Sequence, residues 1–162
     1  MNLCIDQGNS RTKIALFKKD GRIVKNLLYK SFTSADVERL FSLYPITQSI
    51  VSSVANMEPA VINALNRLSK RFVLFDHLTP LPIKNCYQTP ETLGHDRIAA
   101  AVGAAYLCSN TNLLIIDAGS AVTYDFVSAE QGYLGGNIAP GIKMRLTALN
   151  QMTRRLPKVE IE

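Results

Sequence analysis

The chain has 162 residues, of which 47% are hydrophobic and 19% are charged, a composition typical of globular rather than disordered or fibrous proteins. Eighteen basic and thirteen acidic residues give a net charge of +5, an excess that small anionic ligands explain as well as nucleic acid does. We therefore expect no nucleic-acid partner. No apolar run approaches the length of a transmembrane helix, and the first residues lack a secretory signal, so we expect no membrane partner either.

The cysteine content indicates a reducing compartment. There are three cysteines, an odd number, and no two of them have CxxC spacing. This pattern argues against a disulfide framework and against a zinc site. We expect a cytoplasmic protein.

The first part of the chain predicts strands and helices in the order βββαβαβα. Apolar and β-branched runs predict five strands, over residues 2–6, 11–18, 22–30, 49–54 and 72–75. Helical spacing predicts one helix that starts at an N-cap, Ser34, and ends before Pro45. A second helix opens at Glu58-Pro59, and an Ala-rich third helix covers residues 96–108. A long loop precedes this helix, from about residue 77 to 94. Loops of this length in compact domains are often functional.

A second series begins after a polar break near residue 110. It predicts strands over residues 113–117, 122–128 and 133–138 and a helix over 142–152. Leu3 to Ser10 aligns with Leu114 to Ala121, and each segment is an apolar strand followed by Asp-x-Gly and a small polar turn. We interpret this as a duplicated domain, with the first copy over 1–110 and the N-terminal part of a second copy over 111–162. The second copy lacks the closing βαβα section, which predicts a truncated chain.

The first candidate site is the turn between the first two strands. Its residues are Asp6, Gln7, Gly8, Asn9, Ser10, Arg11, Thr12 and Lys13. Glycine allows close backbone approach to a ligand, the polar side chains offer hydrogen bonds, and Lys13 offers a positive charge for phosphate oxygens. Asp6 could hold Mg²⁺, which favours carboxylates together with phosphates. The alternative is an ordinary hairpin turn, and the chain contains neither a Walker A pattern nor GxGxxG.

The second candidate site is Gly94-His95-Asp96-Arg97, at the start of the Ala-rich helix. Asp96 would act as a general base for a substrate hydroxyl, because phosphoryl transfer needs an orienting carboxylate more than it needs covalent chemistry. Arg97 would hold an anionic substrate. The alternative is that Asp96 is only a helix cap.

Two further segments are candidate ligand loops. The segment Asp117 to Thr123 offers a carboxylate for a cation, Asp117, and a hydroxyl for phosphate, Ser120. The segment Gly135 to Gly141 has three glycines and a proline before a helix. Such a segment allows close approach of another part of the protein, either a neighbouring domain or a ligand. Tyr87, in the long loop, could line a pocket or simply pack.

Together these segments resemble the type III pantothenate kinases. The family patterns are D-x-G-N-[ST]-x-x-K at Asp6 to Lys13, G-x-D-R at Gly94 to Arg97, D-x-G-[ST]-A-x-T at Asp117 to Thr123 and G-G-x-I-x-P-G at Gly135 to Gly141. Tyr87 stands where the family has an aromatic substrate residue. Ser120 replaces the commoner threonine and keeps its hydroxyl.

The resemblance implies a ribonuclease H-like fold of the acetate and sugar kinase/Hsc70/actin class. It implies ATP-dependent phosphorylation of the pantothenate 4′-hydroxyl, the first step of coenzyme A synthesis. Asp6 to Lys13 and Ser120 would bind ATP with Mg²⁺, and Asp117 would bind a monovalent cation, K⁺ or NH₄⁺. Tyr87 and Gly94 to Arg97 would bind pantothenate, with Asp96 as the base, in a homodimer.

Two alternatives remain open on the sequence. One is a non-catalytic relative that acts as a transcriptional accessory or interaction protein; the acidic residues Asp6, Asp96 and Asp117 argue against it, and the missing section argues for it. The other is a different small-molecule kinase of the same fold. For that alternative, the combination of Tyr87 with Gly-His-Asp-Arg is unexpected.

Overall fold

The computed structural model describes residues 1–8, 11–53 and 57–160. It divides into two compact units. The first unit contains Met1–Thr79 and Gly94–Asp96, and the second contains Pro80–Leu93 and Arg97–Glu162. A compact unit is not the same as a sequence repeat. The predicted division into two repeated domains at residue 110 therefore stays a prediction.

The described residues form eight strands, four α-helices and one short 3-10 helix, Pro90–Thr92. The strands are β1 (Asn2–Gln7), β2 (Thr12–Phe17), β3 (Ile23–Tyr29), β4 (Gln48–Ser53), β5 (Arg71–Leu74), β6 (Leu113–Ala118), β7 (Ala121–Ser128) and β8 (Gly132–Pro140). The helices are α1 (Ser34–Leu43), α2 (Pro59–Leu68), α3 (His95–Leu107) and α4 (Ile142–Met152). Each matches a predicted element to within about two residues; Val54, the last residue of the predicted fourth strand, lies outside the described residues.

The sheet of the first unit has the strand order β3-β2-β1-β4-β5. Strands β1, β2 and β3 pair antiparallel through short turns, whereas β4 and β5 pair parallel to their neighbours. A parallel neighbour needs a crossover connection, and helices α1 and α2 supply it. This arrangement is the ribonuclease H-like topology that the family resemblance implies.

The core of the first unit lies between one face of this sheet and the two crossover helices. Alternate strand residues, such as Leu3, Leu16 and Val51, point into it and are fully buried. Val37 and Leu65 close it from α1 and α2. The alternation places Asp6 and Lys13 on the opposite face of the sheet.

The start of α1 differs from the prediction by one residue. Thr33, and not Ser34, is the N-cap, with extended backbone and a side chain that accepts a hydrogen bond from the Asp36 backbone N–H. The Asp36 carboxylate accepts a hydrogen bond from the Thr33 backbone N–H at 2.9 Å. This reciprocal capping box requires an acidic or amide side chain three residues after the cap, and Asp36 stands three residues after Thr33.

The second unit contains an antiparallel sheet in the order β6-β7-β8. It repeats the β1-β2-β3 series of the first unit, and α4 follows it in the chain. The loop before α3 is ordered by this sheet: the Tyr133 backbone N–H donates to the Lys84 carbonyl at 2.8 Å, and the Cys86 N–H donates to the Tyr133 carbonyl at 2.9 Å. The long loop therefore adds a short parallel bridge to β8 at Asn85.

Three cysteines lie among the described residues. Cys4, Cys86 and Cys108 are all free thiols. Among the described residues, every helix is too short or too polar to cross a bilayer.

Candidate functional site

The hairpin between β1 and β2 forms the first part of the site. Asp6 and Lys13 are directly opposite each other in the antiparallel register, with Lys13 Nζ 3.8 Å from Asp6 Oδ2. Both side chains are largely accessible, so this ion pair contributes little stability. The turn is closed by a hydrogen bond from the Gly8 N–H to the Arg11 carbonyl, 3.0 Å long. The accessible carboxylate of Asp6 could bind a cation, and the accessible ammonium of Lys13 could bind a phosphate.

The other predicted residues of this hairpin lie in different environments. Arg11 is exposed, and Thr12 is buried on the core face of the sheet. Gln7 accepts a hydrogen bond from Ser53 Oγ at 2.7 Å, which joins the turn to β4. Asn9 and Ser10 lie outside the described residues.

Strand β4 brings an additional hydroxyl beside Asp6. Ser52 is the register partner of Asp6 in the parallel pair. In the part of the chain that the structure describes, Ser52 Oγ is buried without a hydrogen-bond partner. Buried hydroxyls normally have partners, so Ser52 is a candidate donor that the sequence analysis missed. A serine at the end of a strand carries no signal that would have identified it.

The Gly94-His95-Asp96 segment belongs to the first unit. Helix α3 begins at His95, whose ring packs edge-on against Phe75 with a centroid distance of 5.4 Å. Asp96 is exposed and lies within the first helical turn. A carboxylate in that position is stabilised by the helix dipole and is accessible to a substrate.

Arg97 lies in a different environment from its neighbour Asp96. It is 7% exposed and donates from Nη2 to Asp125 Oδ1 at 2.6 Å and from Nε to the same oxygen at 3.0 Å. The hydrogen bonds to Asp125 raise the pKa of Arg97 above its ordinary value. The guanidinium of an arginine is charged even without such a shift. The structure therefore pairs the predicted substrate-binding arginine with a buried carboxylate.

Asp125 and Tyr133 complete this buried cluster. Asp125 lies in the middle of β7 and is 1% exposed, and Tyr133 Oη donates to its Oδ1 at 2.7 Å. Burial, together with the hydrogen bond to Asp125, raises the pKa of Tyr133 well above its ordinary value. The sequence predicts β7 and β8, the strands that carry these residues, but it does not identify Asp125 or Tyr133 as functional. The available signal was a charged residue inside the apolar run Tyr124-Asp125-Phe126, because a buried charge needs a partner.

Tyr87 packs against the same strands. Its ring lies 6.2 Å from that of Tyr133, and its backbone N–H donates to Asn85 Oδ1 at 3.0 Å. A Cβ atom on Gly135 would lie only 2.9 Å from Tyr87 Cδ2, and Gly135 has φ = +106°. Glycine is thus required at this position for two reasons: the backbone conformation and the approach of the tyrosine ring.

Asp117 and Ser120 lie at the hairpin between β6 and β7. Asp117 is exposed near the end of β6, and Gly119-Ser120 forms the two-residue turn. The Gly141 N–H, at the start of α4, donates to the Ser120 carbonyl at 3.0 Å, and a Cβ on Gly141 would collide with this turn. The final glycine of the Gly135 to Gly141 segment therefore packs against the turn that carries Ser120.

No ready-made divalent metal centre occurs in the described residues. Within 1–8, 11–53 and 57–160, no three His, Cys, Asp or Glu side chains form a ligand group. Mg²⁺ is commonly held by one or two carboxylates and completes its shell with water and substrate phosphates. Asp6 fits this kind of binding.

Comparison with solved structures identifies the class of fold. A Sinorhizobium meliloti protein, provisionally assigned as a 2-dehydro-3-deoxygalactonokinase, matches with a TM-score of 0.51 and 11% identity. The match covers 94% of this chain and 58% of that protein. At this identity the likeness shows the fold alone. The chain has an α/β, ribonuclease H-like fold, as the family resemblance implied.

Sequence comparison identifies the family. The family model described as type III pantothenate kinase matches residues 2–162. A type III pantothenate kinase of Phocaeicola vulgatus is 44% identical over 98% of this chain, and one of Bacteroides fragilis is 44% identical over 100% of it. The chain belongs to the type III pantothenate kinase family. It spans 65% and 66% of the lengths of these two relatives.

Proposed function

We propose that this protein transfers the γ-phosphoryl group of ATP to the 4′-hydroxyl of pantothenate, the first step of coenzyme A synthesis. The observation that carries the proposal is the Gly94 to Arg97 segment, in which an accessible carboxylate precedes an arginine held by a buried partner. Family membership over residues 2–162 supports the same chemistry. Neither the fold nor the relatives favour a non-catalytic role.

Asp96 is the proposed general base. Its carboxylate accepts the proton of the pantothenate 4′-hydroxyl as that oxygen forms a bond to the γ-phosphorus. The bond from the γ-phosphorus to the β,γ-bridging oxygen breaks, and ADP leaves with that electron pair. Phosphoryl transfer depends mainly on positioning and charge stabilisation, so one oriented carboxylate suffices on the acceptor side.

The proposed nucleotide-binding residues are the segment Asp6 to Lys13 and Ser120. Lys13 offers its ammonium to phosphate oxygens, and the Ser120 hydroxyl donates a hydrogen bond. Bound Mg²⁺ would neutralise part of the phosphate charge, with Asp6 as its protein ligand. Asp117 is the proposed ligand of a monovalent cation, K⁺ or NH₄⁺.

The proposed pantothenate-binding residues are Tyr87, Gly94, His95 and Arg97, besides Asp96. Pantothenate carries a carboxylate, and Arg97 supplies a permanent positive charge for it. We further propose a homodimer and a cytoplasmic location. These assignments rest on the family resemblance and on the residue types present.

The decisive experiment is ADP release by the purified 162-residue chain with ATP, Mg²⁺ and K⁺, with and without pantothenate. The Phocaeicola vulgatus relative provides a positive control in the same assay. Pantothenate-dependent release supports the proposal, and release driven by a sugar or by acetate instead supports another kinase of the same fold. No release by this chain while the relative is active overturns kinase activity for the chain as it stands.

A further inference from the structure

A buried charge cluster in the second unit joins Arg97, which the family resemblance assigns to pantothenate binding, to two residues outside that assignment, Asp125 and Tyr133. Asp125 Oδ1 accepts hydrogen bonds from Arg97 Nη2, Arg97 Nε and Tyr133 Oη, at 2.6, 3.0 and 2.7 Å. All three residues are buried. Burying an ion pair costs solvation free energy that its attraction often fails to recover, so a buried pair is a poor device for stability alone.

The geometry of the cluster restricts the Arg97 guanidinium. Two nitrogens on one edge of its plane engage a single carboxylate, which fixes the plane as well as the position of the group. Tyr133 in turn fixes the carboxylate, because its hydroxyl donates to the oxygen that receives both arginine bonds. Removing the hydroxyl would release Asp125 without breaking the ion pair.

The same tyrosine organises the loop that carries Tyr87. The Tyr133 backbone bonds to Lys84 and Cys86 on either side of Asn85, and its ring lies beside that of Tyr87. Two residues assigned to pantothenate binding, Tyr87 and Arg97, are thus held by the same pair of strands, β7 and β8. The sequence separates these residues, and only the sheet brings them to common partners.

We propose that Asp125 and Tyr133 are positioning residues that hold Arg97 in the orientation that binds the pantothenate anion. This inference rests on the proposed function. It assigns substrate affinity to two side chains that need not touch the substrate. A merely structural cluster would set the free energy of unfolding and leave the substrate KM of the folded protein unchanged.

The test is a double-mutant cycle on the kinetics of the intact chain. Asp125→Asn keeps the shape of the side chain and removes its charge, and we expect the KM for pantothenate to rise at least about tenfold, the usual loss for a hydrogen bond to a charged group. The KM for ATP should stay unchanged. In an Arg97→Lys background, which lacks the planar fork, Asp125→Asn should change the pantothenate KM by less than about twofold.

Two further variants keep the test decisive if a charge variant folds poorly. Tyr133→Phe leaves the ion pair in place and should raise the pantothenate KM by less than Asp125→Asn does, with the same dependence on Arg97. Asp20→Asn removes the same charge from the exposed turn between β2 and β3 and should change neither KM. Equal rises in both Arg97 backgrounds, or lost stability with an unchanged pantothenate KM, would overturn the proposal.

A measurement without turnover separates this inference from the proposed function. In protein labelled with ¹⁵N-arginine, the Arg97 Nε–H signal should exchange slowly with water in the wild type and quickly in Asp125→Asn. Added pantothenate should shift the wild-type signal. If the ligand causes no shift and no turnover, the proposed function fails for this chain; if exchange is unaffected by Asp125→Asn, the positioning role fails.

Discussion

At the scale of single residues, two neighbours in one helical turn have opposite environments. Asp96 is exposed to solvent, whereas Arg97 is buried against Asp125. Helical geometry explains this difference, because successive residues point about 100° apart around the helix axis. A short motif can therefore combine an accessible group with one fixed by the protein interior.

Replacing Asp96 tests the general base directly. We expect Asp96→Asn to lower kcat by about 10²–10⁴-fold, because an amide cannot accept the proton of the attacking hydroxyl. The measurement is steady-state ADP release, with circular dichroism to establish folding. Asp20→Asn is a control for loss of one carboxylate, and a decrease below tenfold for Asp96→Asn would contradict the assignment.

Tyr133 gives a prediction about pH and stability. Its pKa is raised in the folded state, mainly by burial, so above about pH 10 the unfolded chain loses a proton that the folded chain retains. Proton loss by the unfolded state alone lowers the free energy of unfolding as pH rises, by up to about 1.4 kcal/mol per pH unit. The contribution of Tyr133 is therefore fully present below pH 10 and is lost above it.

Urea unfolding at a series of pH values between about 8 and 11 checks this sign. We expect Tyr133→Phe to be less stable at pH 8, because it leaves a buried carboxylate with one hydrogen bond fewer. It should lose stability less steeply above pH 10 than the wild type does. Tyr106→Phe, at an 80% exposed side chain, is the matched control, and parallel slopes for Tyr133→Phe and wild type would contradict the prediction.

At the scale of elements, local sequence signals account for most of the secondary structure. The helix that Glu58-Pro59 was predicted to open starts at Pro59, and α4 covers the predicted residues 142–152. Turn residues and apolar runs likewise predicted the three antiparallel strands of each sheet. The predicted cap of α1, Ser34, is wrong by one residue. Thr33 and Ser34 are both favourable cap residues, but only Thr33 lies three residues before Asp36, as a capping box requires.

A pair of alanine variants tests the corrected cap. We expect Thr33→Ala to lower the free energy of unfolding by about 1 kcal/mol, because it removes the side chain that caps the Asp36 N–H. Ser34→Ala, one residue later inside the helix, should change it by less than about 0.5 kcal/mol. The measurement is chemical denaturation of both variants, and a larger loss of stability for Ser34→Ala would contradict Thr33 as the N-cap.

At the scale of the whole molecule, the chain forms two compact units, each with its own sheet. Predicted site residues occur in both: Asp6, Lys13 and Asp96 in the first, and Tyr87, Arg97 and Asp117 in the second. Helix α3 connects the units in sequence, since its first two residues belong to the first unit and the rest to the second.

The homodimer is the prediction at this scale. The small residues of α3 allow close approach of another element, and Tyr106 and Leu107 near its end are each 80% exposed. We expect light scattering at micromolar concentration to give about twice the chain mass of 17.9 kDa. Leu107→Glu should shift the mass toward the monomer, and Leu43→Glu on α1 should not. A monomeric wild type would contradict the dimer.

Whereas the ribonuclease H-like class was implied by the family resemblance, the sequence by itself determined the order of elements and the segments that carry charged and polar side chains. These properties depend on local periodicity, turn residues and motif spacing, which a linear chain displays directly. It also predicted Asp96 as a general base, and this role stays a prediction.

Only the tertiary structure decided how those segments are held. The pairing of Arg97 with Asp125 and Tyr133 joins residues far apart in the chain, and the register of β7 and β8 determines it. Sequence alone does not show which charge is buried, because burial depends on the elements that pack around it. A buried charge is not solvated by water, so it needs an oppositely charged or hydrogen-bonding group nearby. In this fold that group comes from a distant part of the chain.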